Sequence, residues 1–198
     1  MHRLASSFIL GYHGCDRGVA ESILAGARFN VSENEYDWLG SGGYFWEANP
    51  IRGLEFARQF LGLRKATGSE IIEPYVIGAV IDLRYCLDLL SSAGLKAVGA
   101  AYQDFLDVCT DASIPVPANA GGPDLLFRRL DCAVVNHLHD TYEKSDSPGF
   151  DTVRGVFVEG KRLYPDSGFF EKTHIQICVR NLNCIKGVFR VPEDQLRV

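Results

Sequence analysis

What the chain lacks narrows it first. No CxxC pair occurs among its six cysteines, Cys15, Cys86, Cys109, Cys132, Cys178 and Cys184. Their spacing does not suit a structural metal, and their apolar neighbours suit small buried hydrophobes kept reduced, the usage of a cytoplasmic protein. Basic residues are outnumbered: 20 lysines and arginines against 25 aspartates and glutamates leave a net charge of −5. No global positive field is available to hold nucleic acid nonspecifically, so contacts to such a substrate would have to come from a local patch. No apolar run approaches the ~20 residues of a membrane span, and Phe8-Ile9-Leu10 is too short a core for a signal peptide, so no membrane partner is expected. Internal repeats and low-complexity tracts are also missing.

What remains is an ordinary globular composition, 46% hydrophobic and 23% charged, over 198 residues, enough for one full domain and short for two. Phe8 to His13 reads as a buried strand stopping at Gly14. Asp16 then caps a helix from Arg17 to about Ala25, with Val19, Ile23 and Leu24 inward. Asn49-Pro50 opens a second helix, whose Ile51, Leu54, Ala57 and Leu61 recur at helical spacing as far as Leu63, with Arg64 to Gly68 as its stop. Pro74 to Leu83 is the longest strand candidate and is rich in β-branched residues. Helical patterns cover Cys86 to Leu90, Ala93 to Cys109 and Asp124 to Tyr142, the last two separated by a Pro- and Gly-rich loop. His137 and His139 fall in the last helix without partners at metal-binding spacing, so no metal is expected. Strands at Val153 to Val158, His174 to Arg180 and Cys184 to Phe189 close the chain. Strands bracketing helical stretches give an α+β class with mostly antiparallel pairing.

Two places carry chemistry. The stretch Asn34 to Glu47 crowds glycines and aromatic rings together, combining close backbone approach with flat stacking faces. The strand from His174 alternates cleanly, with Ile175, Ile177 and Val179 on one face and His174, Gln176, Cys178 and Arg180 on the other. A thiol hydrolase using Cys15 or Cys178 with a nearby histidine ranks low, since neither spacing brings imidazole to thiol.

Taken in order, Tyr12-His13-Gly14, then Gly43-Tyr44-Phe45-Trp46, then a polar strand preceded by an aromatic loop resemble the signature of the His-Tyr-Glu (diphtheria toxin and PARP-like) class of ADP-ribosyltransferases. The resemblance covers nearly the whole chain through short motifs. It implies a split pair of antiparallel sheets with flanking helices, and NAD bound between them as co-substrate. It implies further that His13 holds the adenosine-side ribose, that Gly14 and Gly43 line the pocket, and that Tyr44 stacks on nicotinamide beside Tyr36 or Trp46. Arg154 would meet the pyrophosphate, or else pair with Asp151. The family's catalytic glutamate aligns with Gln176, which is neutral, so Glu171 or Glu159 would supply the charge, Glu171 being favoured. The resemblance implies a macromolecular acceptor (protein or nucleic acid), a toxin or antiviral defence role, and an antitoxin-type partner. Gln176 keeps open a non-catalytic NAD or ADP-ribose binding module.

Overall fold

A computed structural model describes residues 8–63, 70–145 and 147–197. It mixes four helices with one seven-stranded mixed sheet. The strands are β1 (Phe8–Asp16), β2 (Gly43–Glu47), β3 (Pro74–Asp82), β4 (Cys86–Asp88), β5 (Thr152–Phe157), β6 (His174–Val179) and β7 (Ile185–Arg190). The helices are α1 (Arg17–Leu24), α2 (Pro50–Gln59), α3 (Ser92–Asp111) and α4 (Arg129–Lys144). Spatial order is β4-β5-β6-β2-β1-β3-β7, antiparallel throughout except for β4 beside β5. The expected pair of sheets is therefore one hydrogen-bonded sheet. Its narrowest joint is β1–β2, where only Gly11–Glu47 and Tyr12–Trp46 pair.

Directly opposed residues share a face, so the register sorts the side chains. Cys15, Phe45, Ile77, Ala79, Ile81, Ile177 and Val179 pack on one face with Ala20 and Ile23 of α1 and with Phe29. The opposite face carries Tyr44, Val153 and Cys178 under Val134, Val135 and Leu138 of α4 and Ala101 of α3. On that same face, α2 covers β1 and β3. This contact is close because Gly14 faces Gly53: a Cβ at Gly14 would stand 2.0 Å from the Gly53 carbonyl oxygen.

Local chemistry explains most boundaries. Asp16 accepts from the Gly18 amide at 2.8 Å and Asn49 from the Arg52 amide at 3.0 Å, so α1 and α2 begin where a cap was expected. Four expectations differ. Cys86–Asp88 is a short strand and not a helix: Asp88 accepts from the Leu90 amide, and helix α3 starts only after the Ser91 cap. Helix α4 begins at Arg129, not Asp124, because Gly121, Gly122 and Leu125 take positive φ in a turn. Asn119 reaches across to cap its Leu130 and Asp131 amides. Val19 of α1 is exposed, leaving Ala20 and Ile23 as its buried residues. Helix α2 ends at Gln59, and its expected stop, Arg64 to Gly68, lies outside the described residues. Among the described residues no helix is long and apolar enough to cross a membrane.

Candidate functional site

The sheet forks where β1 and β2 part. Past the Tyr12–Trp46 pair the next residue of β1 is His13, and its ring, not its backbone, meets β2. Nδ1 lies 2.9 Å from the Tyr44 carbonyl oxygen, so the proton sits on that nitrogen and is donated. The imidazole rests edge-on to Phe29 at 5.4 Å and tilted against Phe45 at 5.6 Å. His13 thus caps the apex of the fork and leans toward the α1 face.

Tyr44 lies on the other face, deep beside Leu39 and Cys178. Its hydroxyl donates to the Gly40 carbonyl at 2.8 Å and accepts from the Leu39 amide at 3.0 Å, which pins the preceding loop onto the sheet. Burial raises its pKa well above the usual phenol range. The rings of His13 and Tyr44 therefore flank the fork from opposite faces and do not share one wall. Gly14 is covered by α2, and Gly43 is buried at the start of β2. The tight glycines in this loop are Gly42, whose Cβ would meet Cys178 Sγ at 2.4 Å, and Gly40, whose Cβ would meet Asn136 Oδ1 at 2.6 Å. Tyr36 packs edge-on against Phe127 at the surface, 5.5 Å between centroids.

The most concentrated polar chemistry lies beside Trp46, on the Tyr44 face. Arg52, in the first turn of α2, is 6% exposed; Glu159, just past β5, is 8% exposed; and His174, opening β6, is 6% exposed. Arg52 Nη2 donates to Glu159 Oε2 at 2.8 Å, and Lys172 Nζ stands 3.6 Å from Glu159 Oε1. His174 Nδ1 donates to the Lys172 carbonyl at 2.6 Å, leaving Nε2 as a buried acceptor. Burial lowers the His174 pKa, with the Arg52 charge acting the same way; the Lys172 carbonyl and Glu159 oppose it. Trp46 Nε1, Arg52 Nε and Nη1, and His174 Nε2 are buried without a hydrogen-bond partner among the described residues. Aromatic rings enclose the cluster: Phe56 lies 4.8 Å from Trp46, and Phe157 lies 5.4 Å from His174.

The other expected residues are placed elsewhere. Gln176 Oε1 accepts from Trp38 Nε1 at 2.8 Å. That bond holds the indole as one wall of a cavity of about 390 Å³, with Tyr102, Val98 and Arg128 among its other walls. Glu171 is exposed and accepts from the Lys161 amide at 3.3 Å, so it braces the loop between β5 and β6. Arg154 makes a two-pronged pair with Glu47, at 2.6 and 2.8 Å, and also reaches Asp88; it does not reach Asp151. Cys178 is fully buried with its pKa pushed up to about 12, which disfavours a nucleophilic thiolate there.

No family model, no curated protein and no solved structure matches the chain.

Of the residues singled out in the sequence, Trp46, Glu159 and His174 meet in one place, joined by Arg52, which periodicity alone did not mark. A signal for Arg52 was present. A cation in the first turn of a helix opposes the helix dipole, so a buried arginine there calls for an anion beside it.

Proposed function

We propose that the protein is an NAD-dependent ADP-ribosyltransferase that works at the fork, with Glu159 as its acting carboxylate. In this reaction the bond between nicotinamide nitrogen and ribose C1″ breaks, nicotinamide leaves with the electron pair, and an acceptor nucleophile bonds to C1″ and gives up its proton. The ribose passes through a cationic centre, and a carboxylate in a site of low dielectric stabilises that charge far more than a neutral amide does. One observation supports this reading above the rest. A buried carboxylate, Glu159, stands with His174 and Trp46 beside the last β1–β2 pair, on the face that carries Tyr44. Gln176 and Glu171 suit the role less: the first is neutral and committed to Trp38, and the second is exposed.

In this reading Tyr44, Trp46 and His174 bound the reacting end on one face of the sheet, and His13 steadies it from the other through its bond to the Tyr44 carbonyl. The acceptor is a macromolecule, protein or nucleic acid, and a toxin or antiviral defence role with an antitoxin-type partner follows by analogy. A non-catalytic NAD or ADP-ribose binding module is the second reading, favoured by the Arg52–Glu159 pair, which neutralises the carboxylate. Nicotinamide release from NAD, with and without cell lysate as acceptor, separates the two. Release that is lost in Glu159→Gln and kept in Glu171→Ala supports the enzyme. Absence of release, with NAD still raising the melting temperature, supports the binding module.

A further inference from the structure

We propose that Arg52 is an oxyanion receptor whose resting occupant is Glu159, and that the phosphate groups of a ligand displace this carboxylate. Only the ligand's identity, a pyrophosphate ester of the NAD or ADP-ribose type, rests on the function proposed above; the exchange itself rests on the geometry.

Three observations carry it. First, the pairing is lopsided. A guanidinium offers five N–H donors, yet among the described residues only Nη2 is hydrogen-bonded, while Nε and Nη1 are buried without partners and Glu55 stays 3.6 Å from Nη1. The indole N–H of neighbouring Trp46 is buried and, among the described residues, unpartnered as well. The site therefore holds more donors than the single Glu159 contact uses, and phosphate groups offer more acceptor oxygens than one carboxylate. Second, Arg52 lies in the first turn of α2, where the helix dipole favours an anion although Asn49 already caps the Arg52 amide. Third, the displaced carboxylate has somewhere to go. Lys172, 38% exposed, already stands 3.6 Å from Glu159 Oε1 and can keep the carboxylate paired beside the site.

The consequence is thermodynamic. A ligand that must evict Glu159 binds with its dissociation constant divided by the fraction of molecules in which Arg52 is free, and removing the competing charge lifts that penalty. Glu159→Gln should therefore bind phosphate groups more tightly while losing nicotinamide release, which are opposite signs from one substitution. A pair with a purely structural role gives no gain.

The test is calorimetric titration of inorganic pyrophosphate and of ADP-ribose into wild type, Glu159→Gln, Glu159→Asp and Arg52→Lys, each checked for folding by circular dichroism. The expected result is an affinity gain of about tenfold or more in Glu159→Gln for both probes. Glu159→Asp, which keeps the charge but withdraws it by one methylene, should gain less and serves if the amide variant does not fold. Arg52→Lys, which loses the planar fork, should bind both probes more weakly than wild type. No gain for either probe, a gain for ADP-ribose alone, or undiminished binding by Arg52→Lys overturns the inference. It stands apart from the enzymatic reading: NAD turnover without the gain refutes the exchange alone, and the gain without turnover refutes the enzyme alone.

Discussion

The Arg52–Glu159 pair gives the sharpest energetic prediction. Its side chains are 7% and 11% exposed, so water screens the pair little and solvates either partner poorly once the other is gone. Removing one member of such a pair costs about 3–5 kcal/mol, whereas replacing both with apolar groups of similar volume is often near neutral. Arg52→Met should sit at the low end, because Lys172 at 3.6 Å still compensates Glu159. Glu159→Met should sit at the high end, because Arg52 would keep only the half-exposed Glu55 at 3.6 Å. For a domain of this size each kcal/mol moves the melting temperature by about 2–4 °C, so the single variants should melt roughly 6–20 °C lower. The double variant should return to within about 1 kcal/mol of wild type. The assay is urea denaturation of all four proteins, read as a double-mutant cycle. Losses below about 1 kcal/mol that simply add in the double variant would mean that the two charges are not coupled in a dry site, and the reasoning would fail.

Other substitutions probe the surrounding frame. Gly14→Ala forces a methyl group into the Gly53 carbonyl, 2.0 Å from where it would stand, so a loss of about 3 kcal/mol or more is expected in urea denaturation. Tyr44→Phe leaves the Leu39 amide without its acceptor and should cost about 1–3 kcal/mol by the same measurement, against no change if that hydroxyl merely faces water. Acid should also weaken the fold. Burial lowers the pKa of both His174 and His139 below the usual 6.5, so the unfolded chain binds more protons than the folded one as pH falls. The resulting stability is present above about pH 6.5 and is lost as pH drops through and below that value. Urea midpoints at about pH 7.5 and 5.5 check this, and His174→Gln should flatten part of the difference.

Much of the frame was legible because it rests on local chemistry. Asp16 and Asn49 announced two helix starts, and the β-branched run of β3 and the alternation of β6 announced strands. What escaped depends on distant partners. Cys86–Asp88 is a strand only because Thr152–Arg154 lie beside it, and α4 is capped by Asn119 from an earlier loop. The same division holds at the site. His13, Tyr44 and Trp46 could be picked from short motifs, but their faces follow from where β1 and β2 part. Glu159 and Glu171 are both loop glutamates by sequence, and only the approach of Arg52 from α2 tells the buried one from the exposed one.

The central claim is that Glu159 acts on NAD in this fork, and the most direct measurement is release of nicotinamide from NAD by the purified protein and its Glu159→Gln, Glu171→Ala and Gln176→Ala variants. The account predicts release by wild type and by Glu171→Ala, none by Glu159→Gln, and reduced release by Gln176→Ala as Trp38 loses its anchor. Full release by Glu159→Gln would contradict it.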